Sequence, residues 1–157
     1  MATANAATSF LENRLLSFIF KNNAASFSSP GDNIFVGLAT AVTNFGDTTG
    51  ESGEPAITEA TFTNYARQQV AASGWTLPVD TADTQTCTTA ADLSFPASGG
   101  TNNTITHVFI ATHVSNSLDV LGSGGNVLFI GKLDADKTIA SGDIFRINAG
   151  NLTIELK

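Results

Sequence analysis

Residues 101–113 read TNNTITHVFIATH, residues 125–139 read GNVLFIGKLDADKTI, and residues 141–157 read SGDIFRINAGNLTIELK. Within these stretches the apolar runs of strand length are 105–111, 126–133, 143–147 and 152–156. In the last two runs apolar and polar side chains alternate, which is typical of half-buried strands. Gly, Asn and Ser separate the runs and favour turns. The C-terminal third therefore predicts several short strands joined by turns, as in a sandwich or jelly roll.

The overall composition also favours a β-rich domain. The chain has 157 residues, which fits one domain, and only 13% of them are charged. Thr, Ser and Asn together contribute 47 residues, and Thr favours strands while Ser and Asn favour turns. Further strands are predicted at Ile34–Ala39 and Tyr65–Ala71, whereas Trp75–Leu93 alternates only weakly. We therefore expect a mainly β fold, a jelly-roll-like β-sandwich over residues 33–157.

One helix is predicted before the sandwich, over residues 9–22 and after a short tail at 1–8. Ser9 and Glu12 have the spacing of a capping box, in which each side chain satisfies an amide of the first turn. An apolar stripe follows on one face, formed by Leu11, Leu15, Phe18 and Ile19. Phe10, Leu16 and Phe20 fall partly off this stripe, which predicts burial on more than one side. The helix is interpreted as a docking element whose stripe is an interface.

Charge excludes some classes of partner. The net charge is −7, and the seven Lys and Arg residues are scattered along the sequence. Because binding to phosphates needs clustered cations, neither nucleic acid nor an anionic membrane is an expected partner. The region Met1–Thr8 has no positive segment of a signal peptide, and the run Phe10–Phe20 is too short and too polar for a membrane span. A protein assembled in the cytoplasm is expected.

The sequence contains little that predicts chemistry. His107 and His113 are six residues apart and could share one strand face, but a metal site needs further ligands. The segment Asp134–Thr138 starts like a calcium loop, yet Ile139 replaces the required glycine. Asp143 is expected to organise a turn, and Cys87 is expected to be a structural thiol. We therefore predict neither an enzyme nor a cofactor.

Three residues are expected to have structural roles. Arg67 could fork onto a carboxylate or stack on an aromatic ring, or its stem could simply cover apolar surface. Tyr65 and Trp75 are the only Tyr and Trp of the chain, and each could form a glycan-binding platform. Packing in the core is the favoured interpretation for both aromatic residues.

Six short segments stand out by their order and spacing along the chain. They are FLENRLL at 10–16, IFVGL at 34–38, YARQ at 65–68, TITHVFI at 104–110, GNVLFIG at 125–131, and KTI at 137–139 continuing through GD at 142–143 to AGNLTI at 149–154. In this order they resemble a family of small bacteriophage virion proteins that are tail-fibre-like or structural. The resemblance implies a non-enzymatic β-sandwich subunit of a phage particle, present in many copies.

The position of such a subunit in the virion has two interpretations. A fibre shaft normally derives its length from a coiled coil, a β-helix or a collagen-like repeat, and no such repeat occurs in the sequence. This favours a capsid decoration or cement subunit that docks on the major capsid protein, with a closed homotrimer as the expected oligomer. The alternative is a tail-fibre or receptor-binding subunit that contacts tail proteins. Its recognition loops would be Asn44–Pro55 and Thr76–Asp92.

Overall fold

The computed structural model describes residues 5–7, 9–21, 34–43, 56–77, 85–112 and 127–156. Within these ranges the fold is mainly β, with one α-helix near the N-terminus, as the sequence predicts. The helix α1 spans Ser9–Lys21, so it begins at the predicted residue. The strands are β1 (Asn5–Ala7), β2 (Phe35–Thr43), β3 (Ala56–Glu59), β4 (Gln68–Gln69), β5 (Trp75–Thr76), β6 (Gln85–Thr89), β7 (Leu93–Ser94), β8 (Asn103–Ala111), β9 (Val127–Ile139), β10 (Arg146–Ile147) and β11 (Thr153–Leu156). A short 3₁₀ helix, Ala72–Gly74, precedes β5.

The largest sheet has six antiparallel strands. Its order is β1-β9-β8-β2-β3, and β4 also pairs with β2. Two smaller antiparallel sheets contain β10-β7 and β11-β6-β5. The jelly-roll-like arrangement of these sheets stays a prediction.

The two central strands of the large sheet, β2 and β8, are covered on both faces. Leu38 and Val108 belong to a large apolar cluster, whose other buried members are Val36, Ala60, Phe62, Val70, Phe95, Ile105, Ile139, Phe145 and Ile147. Their chain neighbours Ala39 and Phe109 belong to a small apolar cluster with Ala111 and Ile130. Because successive side chains of a strand point to opposite faces, the two clusters lie on opposite sides of the sheet. This explains why β2 reads as a continuous apolar run rather than an alternating one.

A glycine permits the closest contact between the central strands. Gly37 of β2 is the register partner of Phe109 of β8. A Cβ atom at position 37 would overlap Cζ of the Phe109 ring. The ring therefore packs directly over the backbone of β2, which fixes the register of this pair.

The C-terminal turns follow the sequence prediction closely. Phe145 and Ile147 are buried whereas Ile144 and Arg146 are exposed, which confirms the predicted alternation. A carboxylate oxygen of Asp143 accepts a hydrogen bond from the Ala140 amide at 2.9 Å, so this residue does organise a turn. The predicted turn at 148–151 also forms, with Gly150 at a positive φ of 77°.

The prediction of a strand over Tyr65–Ala71 is largely wrong. Only Gln68 and Gln69 pair with β2, whereas residues 60–67 leave the sheet edge in a turn. The apolar and aromatic side chains of this segment pack into the large apolar cluster, although its backbone lies outside the ladder. Their sequence pattern therefore resembles that of a strand. The predicted strand at 143–147 is likewise shorter, because only Arg146–Ile147 pairs with β7.

The outer edge of β9 is only partly covered. In the described part of the chain, β1 pairs with Phe129, Ile130 and Gly131 alone. Beyond them the exposed charged side chains of β9 are Lys132, Asp134, Asp136 and Lys137. The ladder to β8 is also irregular here, because His107 pairs with Lys132 and Ile105 with Lys137. β9 therefore continues past β1, and exposed charged side chains flank that part of its edge.

Candidate functional site

The helix α1 carries a large exposed apolar surface. The exposed fraction is 37% for Leu15, 55% for Leu16, 46% for Phe18, 57% for Ile19 and 77% for Phe20. Exposure is greatest towards the C-terminal end of α1. Leu11, near the start of the helix, is half-buried and therefore less exposed than these residues. We call the surface formed by Leu15, Leu16, Phe18, Ile19 and Phe20 the helix patch. Adjacent exposed apolar residues of this kind mark interaction sites more often than scattered ones do.

The structure changes one prediction about this helix. Burial on more than one side was expected, yet Leu16 and Phe20 are exposed in the single chain. Within the described residues α1 contacts β9, and this contact leaves both side chains exposed. The predicted interface residues Leu15, Phe18 and Ile19 are exposed with them, and Leu11 lies nearer the body. The side chain of Phe10 lies outside the described residues.

A buried polar network holds the sheet edge opposite β9. The Arg67 guanidinium donates from Nε to Oε1 of Glu59 at 2.8 Å and from Nη2 to Oε2 at 2.7 Å. The side chain of Arg67 has no exposed surface, and that of Glu59 is 10% exposed. Its guanidinium carbon also lies 5.2 Å from the centroid of the Phe109 ring. Arg67 therefore forks onto a carboxylate and contacts a ring, as the first interpretation had it. It does not cover apolar surface from outside.

Tyr65 completes this network. Its hydroxyl accepts a hydrogen bond that a backbone carbonyl of a paired strand would otherwise accept. Its hydroxyl donates to Oε1 of Glu59 at 2.7 Å and accepts a hydrogen bond from the Leu38 amide at 2.9 Å. The next carbonyl along the edge, that of Leu38, accepts from the Ala60 amide. Where residues 60–67 leave the sheet, the Tyr65 hydroxyl thus satisfies a buried donor of β2. Burial and the neighbouring Glu59 carboxylate raise the pKa of this hydroxyl well above its usual value.

Aromatic packing fixes the Tyr65 ring in the large apolar cluster. The ring stacks on Phe95 with centroids 6.2 Å apart and meets Phe62 edge-on at 5.2 Å. Phe95 in turn meets Phe145 edge-on at 5.8 Å. Trp75 is half-buried and packs against the same cluster. Both aromatic residues that could have formed a glycan platform therefore pack in the core.

His107 is a buried, hydrogen-bonded residue of β8. Its Nδ1 lies 2.6 Å from Oγ1 of Thr106, and that hydroxyl also lies 3.0 Å from the carbonyl oxygen of Thr40. The hydroxyl has one hydrogen, so Nδ1 is the donor of the shorter contact whenever that hydrogen is donated to the carbonyl. Burial and the neighbouring Lys132 ammonium lower the pKa of His107. His113, its proposed companion, lies outside the described residues.

The remaining candidate residues have modest surroundings. Cys87 is a half-buried free thiol in β6, and burial raises its pKa. Across the described ranges, no group of three or more His, Cys, Asp and Glu side chains is arranged to hold a metal ion. In those same ranges no helix has the length and apolarity to cross a membrane. The loop 44–55 and the segment 78–84 of the second loop lie outside the described residues.

Comparison with known proteins identifies the family. A model of the family described as "Podophage GP4 fiber I protein gp80" matches residues 6–155. The chain belongs to this family. The predicted resemblance to phage virion structural proteins is thereby confirmed, and the fibre type is supported. Proteins of phage fibres are structural and typically non-enzymatic. The comparison with curated proteins gave no match.

Sequence reasoning missed some residues of these sites. Glu59 was not singled out, although its carboxylate is the centre of the buried network. An acidic residue six positions before a strand-like Tyr-x-Arg carries no signal of its own, because the turn at 60–67 creates the contact. Leu16 and Phe20 were named, but their exposure depends on how α1 packs on the rest of the chain.

Proposed function

We propose that this chain is a non-catalytic structural subunit of a phage fibre and that the helix patch attaches it to its neighbours in the particle. The observation that carries the proposal is the family match over residues 6–155, which favours the fibre alternative over capsid decoration. The exposed Leu16, Ile19 and Phe20 support the choice of surface. Assembly of the chain into virions inside the host cell belongs to the same proposal.

The body of the domain is consistent with a structural role. The ion pair between Arg67 and Glu59 is bidentate and buried, and the Tyr65 ring is packed in the aromatic cluster. Breaking such a pair by removing one partner is strongly destabilising, so the excursion 60–67 is held firmly to the sheet. The helix patch, in contrast, belongs to neither of the two apolar clusters and is exposed for contact with another chain.

Imaging of intact phage particles tests the proposal. We expect density for the six-stranded sheet and α1 at the fibres, with α1 at a contact between chains. A matched particle that carries Leu16→Glu and Phe20→Glu should lose this density. A particle that carries Leu77→Glu and Ile144→Glu should keep it, because these residues are equally exposed at 75% and 55% but lie outside α1. Density on the capsid lattice in the unmodified particle would overturn the fibre proposal and restore capsid decoration.

A further inference from the structure

We infer that β1 and α1 form a releasable strap, which leaves β9 as one unit while the rest of the domain stays folded. The strap consists of Asn5–Ala7 and Ser9–Lys21, and in the sequence only Thr8 separates the two elements. Its release uncovers a strand edge of β9 and lets α1 move away from the sheet. The inference goes beyond the proposed function and does not rest on the position of the chain in the particle.

The strap is attached through a single strand, β9. β1 pairs with Phe129, Ile130 and Gly131 of this strand, and among the described elements α1 also has its principal contact with β9. The strand itself is held independently, because β8 pairs with it from Asn103 to Ala111. Both attachments of the strap can therefore be lost without separating β9 from β8 or β8 from β2.

This attachment is small compared with the packing of the body. The ladder of β1 is three residues long, and two of the three are alanines, which offer little apolar surface. None of the described side chains of α1 is a member of either apolar cluster. A helix of 13 residues is marginal in water when nothing packs against it. We therefore expect the strap to open far more often than the body unfolds.

The residues along β9 indicate what β1 protects. Opposite β1 the edge is uncharged, since it consists of Phe129, Ile130 and Gly131. Immediately past β1 the charged residues begin at Lys132. Charged side chains protect a bare sheet edge from pairing with another chain, whereas an uncharged edge needs a cover. β1 is the cover for the uncharged part of this edge, and its release creates a site for strand addition.

Native-state hydrogen exchange of the full chain is the first test. The Ala7 and Leu15 amides should exchange through one shared opening, populated at least about a hundredfold more than the opening that exposes the Val108 amide of β8. This opening should depend only weakly on urea, because it exposes little surface. Exchange of the Leu15 amide through global unfolding alone would overturn the inference. Different opening constants for β1 and α1 would also overturn it.

A disulfide that fixes β1 to β9 provides the second test. Ala7 and Phe129 are register partners, and both are half-buried. Directly opposed residues of antiparallel strands have a Cα separation that a disulfide can span. In a Cys87→Ser background, the oxidised form of Ala7→Cys with Phe129→Cys should exchange its Leu15 amide at least about tenfold more slowly than its own reduced form, the matched control. Equal rates would overturn the release of β1 and α1 as one unit.

Breaking α1 tests whether the body depends on the strap. Leu16 is 55% exposed, so its replacement removes little packing, and Leu16→Pro breaks the helix by removing an amide donor from its interior. The Ala7 amide should then lose its protection. The urea midpoint of the body should equal that of Leu16→Ala, the matched control that keeps the helix. Unfolding of the whole domain by Leu16→Pro, or an Ala7 amide that stays protected, would overturn the inference.

Aggregation tests the uncovered edge. At equal concentration, light scattering should rise faster for Leu16→Pro than for Leu16→Ala, because the bare edge of β9 can pair with other chains. Phe129→Lys added to the proline variant places a charge on this edge and should restore the slow rate. Equal rates for the proline and alanine variants would overturn the role of β1 as a cover. A fast rate that Phe129→Lys leaves unchanged would do the same, since it would assign the aggregation to the broken helix.

Discussion

Removal of one hydroxyl group should destabilise the whole domain. In a Tyr65→Phe variant the ring keeps its stacking on Phe95, but the oxygen between the Leu38 amide and the Glu59 carboxylate is lost. Leu38 has no exposed surface, so its amide has no access to water in the folded chain. A buried donor left unsatisfied costs about 1–3 kcal/mol. The Glu59 carboxylate also loses one of its donors, which brings the expected loss to about 2–4 kcal/mol.

Urea denaturation measures this loss. With a slope of about 2 kcal/mol per molar urea, the middle of the usual range for small proteins, the midpoint should fall by about 1–2 M while the slope stays unchanged. Both proteins should be compared at one concentration, because association adds to apparent stability. Amide hydrogen exchange gives a local readout, since the Leu38 amide should lose protection more than its neighbours in β2.

A matched control separates this effect from the loss of any hydroxyl. Thr138 shares an exposed hydrogen bond of 3.2 Å with Thr104, and Thr138→Val should change stability by less than about 0.5 kcal/mol. Tyr65→Phe could instead change the free energy of unfolding no more than this control, with an unchanged slope. The hydroxyl would then not be needed as the acceptor for the Leu38 amide, and the reasoning would be refuted.

Three further changes test the core and the buried charges. Arg67→Met leaves the Glu59 carboxylate buried without its cation and should cost about 3–5 kcal/mol in a urea titration, whereas a cost under about 1 kcal/mol would contradict a desolvated pair. Gly37→Ala drives a methyl group into the Phe109 ring and should lower the free energy of unfolding by about 1–3 kcal/mol. The double variant with Phe109→Leu should recover most of this loss. A neutral Gly37→Ala would show that the two strands separate freely. The pKa of His107 is lowered from 6.5 in the folded state, so its contribution to stability is complete above pH 6.5 and is lost as the pH falls towards the folded value. In His107→Gln the pH slope of stability in that window should disappear. An unchanged slope would assign it to other groups.

The strands of the C-terminal third were predictable because their signal is local. Phe145 and Ile147 alternate with exposed neighbours, and the Gly150 turn requires a positive φ that the sequence indicates. The helix was equally predictable, since a capping pattern and a stripe lie within thirteen residues. The segment around Tyr65 was not, because its side chains pack as strand residues do while its backbone leaves the ladder.

The sites depend on contacts between distant parts of the chain, and the sequence contains less information about them. The position of Arg67 suggested a carboxylate or a ring, but the partners Glu59 and Phe109 come from two other strands. The stripe of α1 indicated an interface, whereas its exposure depends on which parts of the folded chain lie against the helix. Tertiary packing decides such features, so periodicity within one segment cannot reveal them.

The charged edge of β9 has a consequence for crowding. Wherever copies of a chain are concentrated, sheet edges meet repeatedly, and a bare apolar edge would recruit further strands without limit. Lys132, Asp134, Asp136 and Lys137 would all need to give up hydration in such a contact. The edge therefore discourages open-ended polymerisation, and the copies can be concentrated without turning into aggregates.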